Sequence, residues 1–480
     1  MTRRLLSFLA RWKAGGTEQR VTRVGLVACC ALYLGFALLH TYMLKPYRPG
    51  DEQRHTKYAY AIGAKGRLPK LRETRAANHP PAYYALVAAV SPQGKQRGYV
   101  LPGRLVSVCF GLVAVAYAFF LLRRLLPNHP AVAVSGTALI AFMPTYANNP
   151  AVLGNDAMSI AAAFALAYSS VSIVLSGPSL GRCVHVGVWM CLGALARVSA
   201  AGLLPATLVG VAAGVYLHSG GTPRRRAALA ALIGVALVGA VAASSGWFYF
   251  RNQEKLGDFS GTDAILDIKR YNPVRSLTEV IFSWKMWKYM YNETWGKFSG
   301  MIRIKGTLRQ FVWVLTDASL LGAAAALFRT RVWRELRTPF RPRVIAWAIL
   351  ALFYASVIVP ALHYHAQGGG MHQRYFFGAL YAPALVLALG VTWSKSRFVG
   401  LLGTCSFFLL ALSCHLTYAA ILAGEIRDFP VTAALQAAGA PHVAALSMLI
   451  LILWVLGFAG MVYAVAVLHR PLKLVEASRG

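Results

Sequence analysis

Twelve long apolar stretches constrain this chain more than any other feature of its sequence. A helix needs about 20 mostly apolar residues to cross the hydrocarbon core of a bilayer. Only 14% of the 480 residues are charged, against about a quarter in soluble domains, so the composition excludes a soluble enzyme. The sequence predicts an all-α polytopic membrane protein with about 12 transmembrane helices. The candidate spans lie at about 24–44, 101–122, 131–147, 157–176, 183–196, 199–217, 227–249, 310–328, 344–362, 375–394, 398–421 and 443–468.

The basic residues set the predicted orientation. Lys and Arg number 49 against 16 Asp and Glu, a formal net charge of +33, and short loops rich in Lys and Arg stay in the cytoplasm. We therefore predict a basic cytoplasmic N-terminus (1–23), a single transmembrane bundle (24–468) and a cytoplasmic tail (469–480). Two long loops, 45–100 and 251–309, are expected on the extracytoplasmic side, where they carry short interfacial helices. Loops of this length often carry function.

The first outer loop offers a carboxylate in a chemically useful setting. The turn Pro49-Gly50-Asp51 precedes a predicted helix that runs to about Gly63. Asp51, His55 and Tyr58 share one face of that helix, and a carboxylate beside a histidine and a tyrosine can accept a proton. The alternative is that Asp51 only caps the helix. The spacing leaves both hypotheses open.

Two further outer segments carry candidate residues. His79 precedes a rigid Pro-Pro turn that faces the same compartment as Asp51, whereas Tyr83 and Tyr84 are typical of an aromatic belt at the membrane surface. Asn155-Asp156 stands at the start of a span. Here too, capping of the helix N-terminus competes with a functional role.

Cations near span ends predict an anion site. Arg251 stands where one span emerges, and Arg374 begins another, so either side chain could hold a phosphate. Three histidines lie near Arg374, but their spacing fits no common zinc signature and no carboxylate or cysteine accompanies them. We therefore predict no metal site. These histidines are His363, His365 and His372.

Taken in order, these motifs resemble the GT-C superfamily of polytopic membrane glycosyltransferases. The resemblance is to the branch that includes dolichyl-phosphate-mannose protein mannosyltransferases and bacterial lipid A aminoarabinose transferases, and it covers roughly residues 20 to 400. The residues that carry it are Gly50-Asp51-Glu52 with His55 and Tyr58, Gly66-Arg67-Leu68-Pro69, His79-Pro80-Pro81 with Tyr83-Tyr84, Asn155-Asp156, Arg197-Val198-Ser199, Trp247 with Arg251-Asn252, Trp295-Gly296 and Arg374-Tyr375.

The resemblance implies a function. A sugar would pass from a polyprenyl-phosphate-linked donor to a glycan, lipid or protein of the cell envelope, with inversion of configuration. The acid of the first outer loop would be the catalytic base: Asp51, or alternatively Glu52. The expected donor-phosphate ligands are Arg251, Arg374, Lys57 and His372. The expected sugar or acceptor ligands are His55, Tyr58, His79, Asn155, Asp156 and Trp295.

The resemblance also implies partners and location. We expect a multi-pass protein of the bacterial plasma (inner) membrane, with both termini cytoplasmic and an extracytoplasmic active site. Its partners would be membrane lipids, the donor and the acceptor, and not nucleic acid. No cofactor is required, although a divalent cation is possible.

Two other functions fit part of the pattern. A transporter or flippase for a lipid-linked or anionic solute would explain twelve spans and basic outer loops. Transporters usually place polar site residues near the bilayer midplane, where Asp317 is the main candidate acid in this chain. An O-antigen ligase-like enzyme could use His372 and Arg374, but it would leave Asp51 and His79 without a role.

Overall fold

The computed structural model describes residues 16–47, 51–92, 94–268, 270–296, 306–330, 341–392, 394, 396–423 and 430–469. Throughout these residues the regular structure is helical, which confirms the predicted all-α class.

The chain order of the helices is simple, with long apolar helices interrupted by two groups of short ones. Short 3₁₀ helices occupy Arg75–Asn78, Gln96–Tyr99 and Gln373–Ala379, and a π-helical turn occupies Ala242–Gly246. The α-helices are α1 (Thr17–Met43), α2 (Glu52–Lys65), α3 (Ala82–Val90), α4 (Val100–Leu125), α5 (Pro130–Phe142), α6 (Pro144–Asn148), α7 (Asp156–Ser176), α8 (Leu180–Ala196), α9 (Val198–Ala201), α10 (Leu204–His218), α11 (Pro223–Val241), α12 (Trp247–Leu256), α13 (Thr262–Ile268), α14 (Leu277–Ile281), α15 (Trp284–Gly296), α16 (Thr307–Thr330), α17 (Pro342–Ala366), α18 (Tyr381–Thr392), α19 (Arg397–Ala423), α20 (Pro430–Ala437) and α21 (Val443–Leu468).

All twelve predicted apolar stretches are largely helical, but they do not all have the length of a span. Among the described residues, eight helices are long and apolar enough to cross a membrane, and a ninth is formed if the bent pair Gln373–Ala379 and Tyr381–Thr392 counts as one span. The helices α5 and α8 are apolar but shorter. The molecule is therefore a multi-pass membrane protein, and the number of twelve spans stays a prediction.

Close packing of the first and last helices builds one side of the bundle. Gly35 in α1 lies against Trp454 in α21, where an added Cβ would come within 2.6 Å of the indole ring. Gly457 in turn packs onto Leu32 of α1, with an added Cβ 2.8 Å from its Cγ. Small residues let membrane helices approach closely, and this is how the two ends of the sequence are joined.

The two predicted outer loops lie together at one end of the bundle. The side-chain amide of Asn252 donates to the carbonyl of Asn78 at 3.0 Å, and that of Asn78 donates to the carbonyl of Ser260 at 3.4 Å. The predicted cytoplasmic segments form contacts of their own, such as the ion pair between Arg123 and Glu18 at 3.2 Å. The two long loops thus contact each other directly.

The predicted aromatic belt at Tyr83 and Tyr84 is wrong. Both side chains are fully buried. Tyr83 bonds to the hydroxyl of Ser107 at 2.6 Å and donates to the carbonyl of Gly103 at 3.0 Å. These rings pack α3 against α2 and α4 because the loop folds down over the bundle and takes them out of the membrane surface.

Candidate active site

A cavity of about 650 Å³ opens where the two outer loops meet the bundle. Its walls come from widely separated parts of the sequence: the start of α2, the 3₁₀ helix Arg75–Asn78, the start of α7, the α8–α9 break and the region around Arg374. Several predicted site residues line it, namely Asp51, His55, His79, Asn155, Asp156, His372 and Arg374.

Asp51 occupies the N-cap position of α2 but makes no capping hydrogen bond. Its carboxylate instead accepts a hydrogen bond of 2.5 Å from Arg374 and one of 3.1 Å from Arg54. The alternative that Asp51 only caps the helix is therefore wrong. Burial by itself would raise the pKa of Asp51, but the charge and hydrogen bond of Arg374, together with His55 and Arg54, lower that pKa well below its usual value. The group is a carboxylate at any working pH.

Arg374 also reaches the second acid of the cavity. Its Nε lies 3.6 Å from the carboxylate of Asp156, the first residue of α7. Asp156 pairs on its other side with Arg197, which stands at the break between α8 and α9. The Arg197 guanidinium lies over the ring of Tyr375, 5.4 Å from its centroid. Two carboxylates and three guanidinium groups, counting Arg54, thus form one continuous network in the cavity wall.

Two histidines stack beside this network. The rings of His55 and His79 are nearly parallel, with centroids 6.0 Å apart, and His55 Nδ1 hydrogen-bonds the hydroxyl of Tyr84 at 2.7 Å. Burial, with the arginine charges, lowers the pKa of His55 to about 4 despite the opposing charge of Asp51. Burial likewise lowers the pKa of His79 well below its usual value. Both imidazoles are therefore neutral, and they can hydrogen-bond a sugar hydroxyl without repelling the arginines.

The cavity continues from this polar wall towards the membrane interior. Ile160 and Ala163 of α7 line it, as do Val357 and Pro360 of α17. At a rise of about 1.5 Å per residue, Ala163 lies about 10 Å along the helix from Asp156. A ligand with a charged head and an apolar chain would fit both parts of the cavity.

Glu52 does not line this cavity. Its carboxylate is fully buried and forms a two-pronged ion pair with Arg104 of α4, with both nitrogen–oxygen distances at 2.7 Å. It also accepts backbone N–H bonds from Tyr47 at 2.9 Å and Leu153 at 3.2 Å. Arg104 completes the arrangement by donating to the carbonyls of Thr41 and Leu44 at 2.7 Å. The pair ties α2 to the bundle, and its position gives no support to Glu52 as the base.

Other predicted site residues are also placed away from the cavity wall. Arg251 lies over the ring of Phe248 and contacts the carbonyl of Pro69 at 3.4 Å. Lys57 lines a separate, smaller cavity. Tyr58 is buried and donates to the carbonyl of His79 at 2.9 Å, so it supports that histidine from behind. The side chain of Trp295 lies outside the described part of the structure.

Asn155 lines the cavity, but its side chain forms a hydrogen bond that fixes the backbone of a neighbouring helix end. Its amide donates to the carbonyl of Ala196 at 2.8 Å, at the end of α8. The α8–α9 break, and with it Arg197, is thereby held against the start of α7.

Several lining residues were not predicted. Arg54 and Arg75 come from the first outer loop, Tyr364 comes from the last turns of α17, and Tyr375 follows Arg374. Arg197 and Tyr375 were part of the resemblance but were given no role. The signal for Arg197 was its position, since an arginine that interrupts a long apolar run is costly unless it is paired.

The donor set of the cavity does not fit a divalent cation. Hard cations prefer several carboxylate or carbonyl oxygens, and the two carboxylates here are each paired with arginine. Among the described residues, no group of three or more His, Cys, Asp or Glu side chains is placed to bind a metal.

The chain is similar to known proteins both in sequence and in structure. Residues 78–247 match the family model described as dolichyl-phosphate-mannose-protein mannosyltransferase. The structure is similar to that of ArnT from Cupriavidus metallidurans bound to undecaprenyl phosphate, with a TM-score of 0.50 and 15% identity, over 92% of this chain and 76% of that one. The chain therefore shares the fold of this ArnT structure, as the resemblance to the GT-C superfamily predicts.

A second similar structure is the Archaeoglobus fulgidus oligosaccharyltransferase complex with zinc and sulfate. Its TM-score is 0.45 and its identity 11%, and the match covers 85% of this chain and 56% of the other. No curated protein sequence matches the chain. The similarity to the ArnT structure confirms the fold predicted from the sequence, and the match of residues 78–247 agrees with the predicted family resemblance over that part of the chain.

Proposed function

We propose that this protein is a membrane glycosyltransferase that moves a sugar from a polyprenyl-phosphate donor to an acceptor of the cell envelope. The observation that carries the proposal is the single cavity in which Asp51 contacts Arg374 at one side while apolar residues of α7 and α17 form the other. A lipid phosphate requires a charged surface for its headgroup and an apolar surface for its hydrocarbon chain. The ArnT structure to which the chain is similar contains undecaprenyl phosphate, and the matched family model is that of a dolichyl-phosphate-mannose enzyme.

The reaction follows from the placement of charge. Asp51 accepts the proton of an acceptor hydroxyl or amine as that group attacks the anomeric carbon of the donor. The bond between that carbon and the phosphate oxygen breaks, and the polyprenyl phosphate leaves as an anion that Arg374 stabilises, with His372 also lining the site. One displacement at the anomeric carbon inverts its configuration.

The ion pair between Asp51 and Arg374 has a role in this scheme. While Arg374 is bound to Asp51, the carboxylate is a weak base because its pKa is low. A donor phosphate would compete for Arg374 and draw the guanidinium away from the carboxylate. Arrival of the donor would therefore raise the basicity of Asp51 at the moment when the base is needed.

The cavity would face the extracytoplasmic side, with both termini in the cytoplasm. This orientation rests on the short basic loops at the opposite end of the bundle. The N-terminal segment would be residues 1–23, the bundle residues 24–468 and the tail residues 469–480.

No metal is needed in this scheme, because arginines neutralise the charge of the donor phosphate. The transporter hypothesis gains no support, since the paired acids Asp51 and Asp156 line a cavity beside the outer loops.

The test is transfer by the purified protein in nanodiscs, with radiolabelled polyprenyl-phosphate sugars and envelope fractions as acceptors. Asp51→Asn should lower the rate by about 10²–10⁴-fold, the usual contribution of a general base. The matched control is Asp267→Asn, an exposed acid outside the cavity whose carboxylate pairs with Arg270 at 3.7 Å. Unchanged transfer in the Asp51 variant would remove Asp51 as the base.

A further inference from the structure

A second cavity, of about 450 Å³, adjoins the first. Arg54 and Arg75 line both cavities, so the two share a wall. The second cavity lies between the first turns of α2, which supply Gln53, Arg54 and Lys57, and the segment Leu71–Arg75. Only Leu71 and Ile268 contribute apolar side chains to its described lining.

The charge of this second cavity is strongly positive. Four of its lining residues are basic: Arg54, Lys57, Arg72 and Arg75. Among the described lining residues Glu73 is the only acid, and it is already neutralised by a two-pronged pair with Arg67, at 2.6 and 2.8 Å. No described acid forms an ion pair with Lys57, Arg72 or Arg75.

The wall that carries these cations is held in place. Thr74 is buried and donates to the carbonyl of Arg54 at 2.9 Å, which joins the loop to α2. The hydroxyl of Thr74 also accepts a bond from the N–H of Ala76 and so caps the 3₁₀ helix that begins at Arg75. Glu73 accepts a further bond of 2.8 Å from the backbone N–H of Lys70. Arg72 and Arg75 therefore project from a loop that is fixed against α2, the helix that carries Arg54 and Lys57.

We propose that this second cavity binds an anionic group, a carboxylate or phosphate, on the acceptor glycan. The inference rests on the proposed function and gives the chemical class of its acceptor. Arg54 contacts Asp51 at 3.1 Å, so an anion held between Arg54 and Lys57 places a neighbouring hydroxyl of the same acceptor beside the base. A membrane-lipid headgroup is disfavoured because the described lining has almost no apolar surface for acyl chains to follow.

The assignment also gives Lys57 a role other than the one predicted from sequence. Lys57 was expected to bind the donor phosphate, but it lies outside the cavity that contains Arg374. One full turn of α2 separates Gln53 from Lys57, so the two face the second cavity together. The donor and acceptor anions would thus have separate cations, with Arg54 between them.

The experiment measures binding without any donor, so it does not depend on transfer. Wild-type protein in phosphatidylcholine nanodiscs is titrated with a fluorescent oligogalacturonate and with a neutral malto-oligosaccharide of equal length. The anionic probe should bind about tenfold or more tightly than the neutral one, and high salt should remove the difference. The double variant Lys57→Gln/Arg72→Gln should lose about tenfold in affinity for the anionic probe.

The matched control is Lys95→Gln/Arg97→Gln. It removes the same charge from exposed residues of the same outer loop, outside both cavities. Its affinity should change less than about twofold, because exposed charges at a distance are screened. Asp51→Asn should still bind the anionic probe but lose sugar transfer. A failure of the proposed function can therefore be distinguished from a failure of the proposed anion site.

Three results would overturn the assignment. Equal binding of the neutral and anionic probes would show that charge is not recognised. An equal loss of affinity for the anionic probe in the control variant would show that only the net charge of the loop matters. If nanodiscs containing phosphatidylglycerol abolish probe binding by the wild type, the second cavity is occupied by lipid headgroups instead.

Discussion

The Arg374 guanidinium donates a hydrogen bond of 2.5 Å to the Asp51 carboxylate, across 323 residues of sequence. This contact joins the first outer loop to the segment before α18, and Arg374 extends it to Asp156 at 3.6 Å. The arginine is thus shared between two acids. On the proposed mechanism, donor binding and activation of the base would be coupled through this one side chain.

Replacement of Arg374 should affect both donor binding and the chemical step. In Arg374→Gln the leaving phosphate loses a charged donor, and we expect kcat to fall by about 10²-fold. The KM for the donor should also rise, because a charge-assisted contact to the phosphate is lost. Arg374→Lys keeps the charge but not the fork that reaches Asp51 and Asp156, and it should recover only part of the rate. Full recovery in the lysine variant would mean that charge alone is needed.

Replacement of Arg251 distinguishes the sequence-based assignment from the structural one. The sequence predicts Arg251 as a phosphate ligand, whereas the structure places it over Phe248, outside the cavity lining. Arg251→Gln should therefore raise the donor KM much less than Arg374→Gln does. Steady-state kinetics with a varied donor concentration measures both. Equal increases would bring Arg251 back into the donor site through movement of α12.

Sequence patterns placed these candidate residues in one compartment, because Asp156 and Arg374 stand directly before apolar stretches and Asp51 lies in the loop that follows the first one. Asp51, Asp156 and Arg374 all start helices, and hydropathy alone put them on the same side of the membrane. The resemblance then supplied their order. What hydropathy cannot predict is the folding of the outer loops onto one another, which separated Arg251 and Lys57 from the cavity.

The choice between Asp51 and Glu52 shows a second limit. Neighbouring residues at a helix start point about 100° apart, so only the packing of α2 decides which of the two faces the cavity. The deciding partner of Glu52 is Arg104, which lies within an apolar span. A single arginine in such a span requires a counter-charge, but the sequence does not say which acid provides it.

The Glu52–Arg104 pair should be a stability determinant. Removing one partner of a buried pair leaves an uncompensated charge and costs about 3–5 kcal/mol. Glu52→Gln should therefore lower the melting temperature in detergent markedly, with reduced yield of folded protein. In contrast, Asp51→Asn should melt close to the wild type, because its site is partly open. The double variant Glu52→Gln/Arg104→Met should regain part of the loss.

A Glu52 variant that folds normally and loses transfer would contradict this assignment. In that case Glu52, and not Asp51, would be the base, and the buried pair would have to open during the reaction. Circular dichroism and size-exclusion chromatography on the same samples separate the two outcomes.

The stacked histidines predict how stability depends on pH. The pKa of His55 is lowered to about 4 in the folded protein, whereas an unperturbed histidine has a pKa of about 6.5. Between these two values the unfolded chain binds the proton and the folded chain does not, so stability is complete above about pH 6.5 and is lost as the pH falls towards 4. The expected loss is about 3 kcal/mol, since the two pKa values differ by about 2.5 units and each unit corresponds to about 1.4 kcal/mol. Melting curves of the wild type and of His55→Gln across this range test the prediction.

The stability of the His55→Gln variant should decline less steeply with falling pH. The control His442→Asn, at the start of α21 and outside the cavity lining, should follow the wild type. A decline in His55→Gln as steep as in the wild type would assign the effect to other groups of the site, with His79 first among them because its pKa is also lowered by burial.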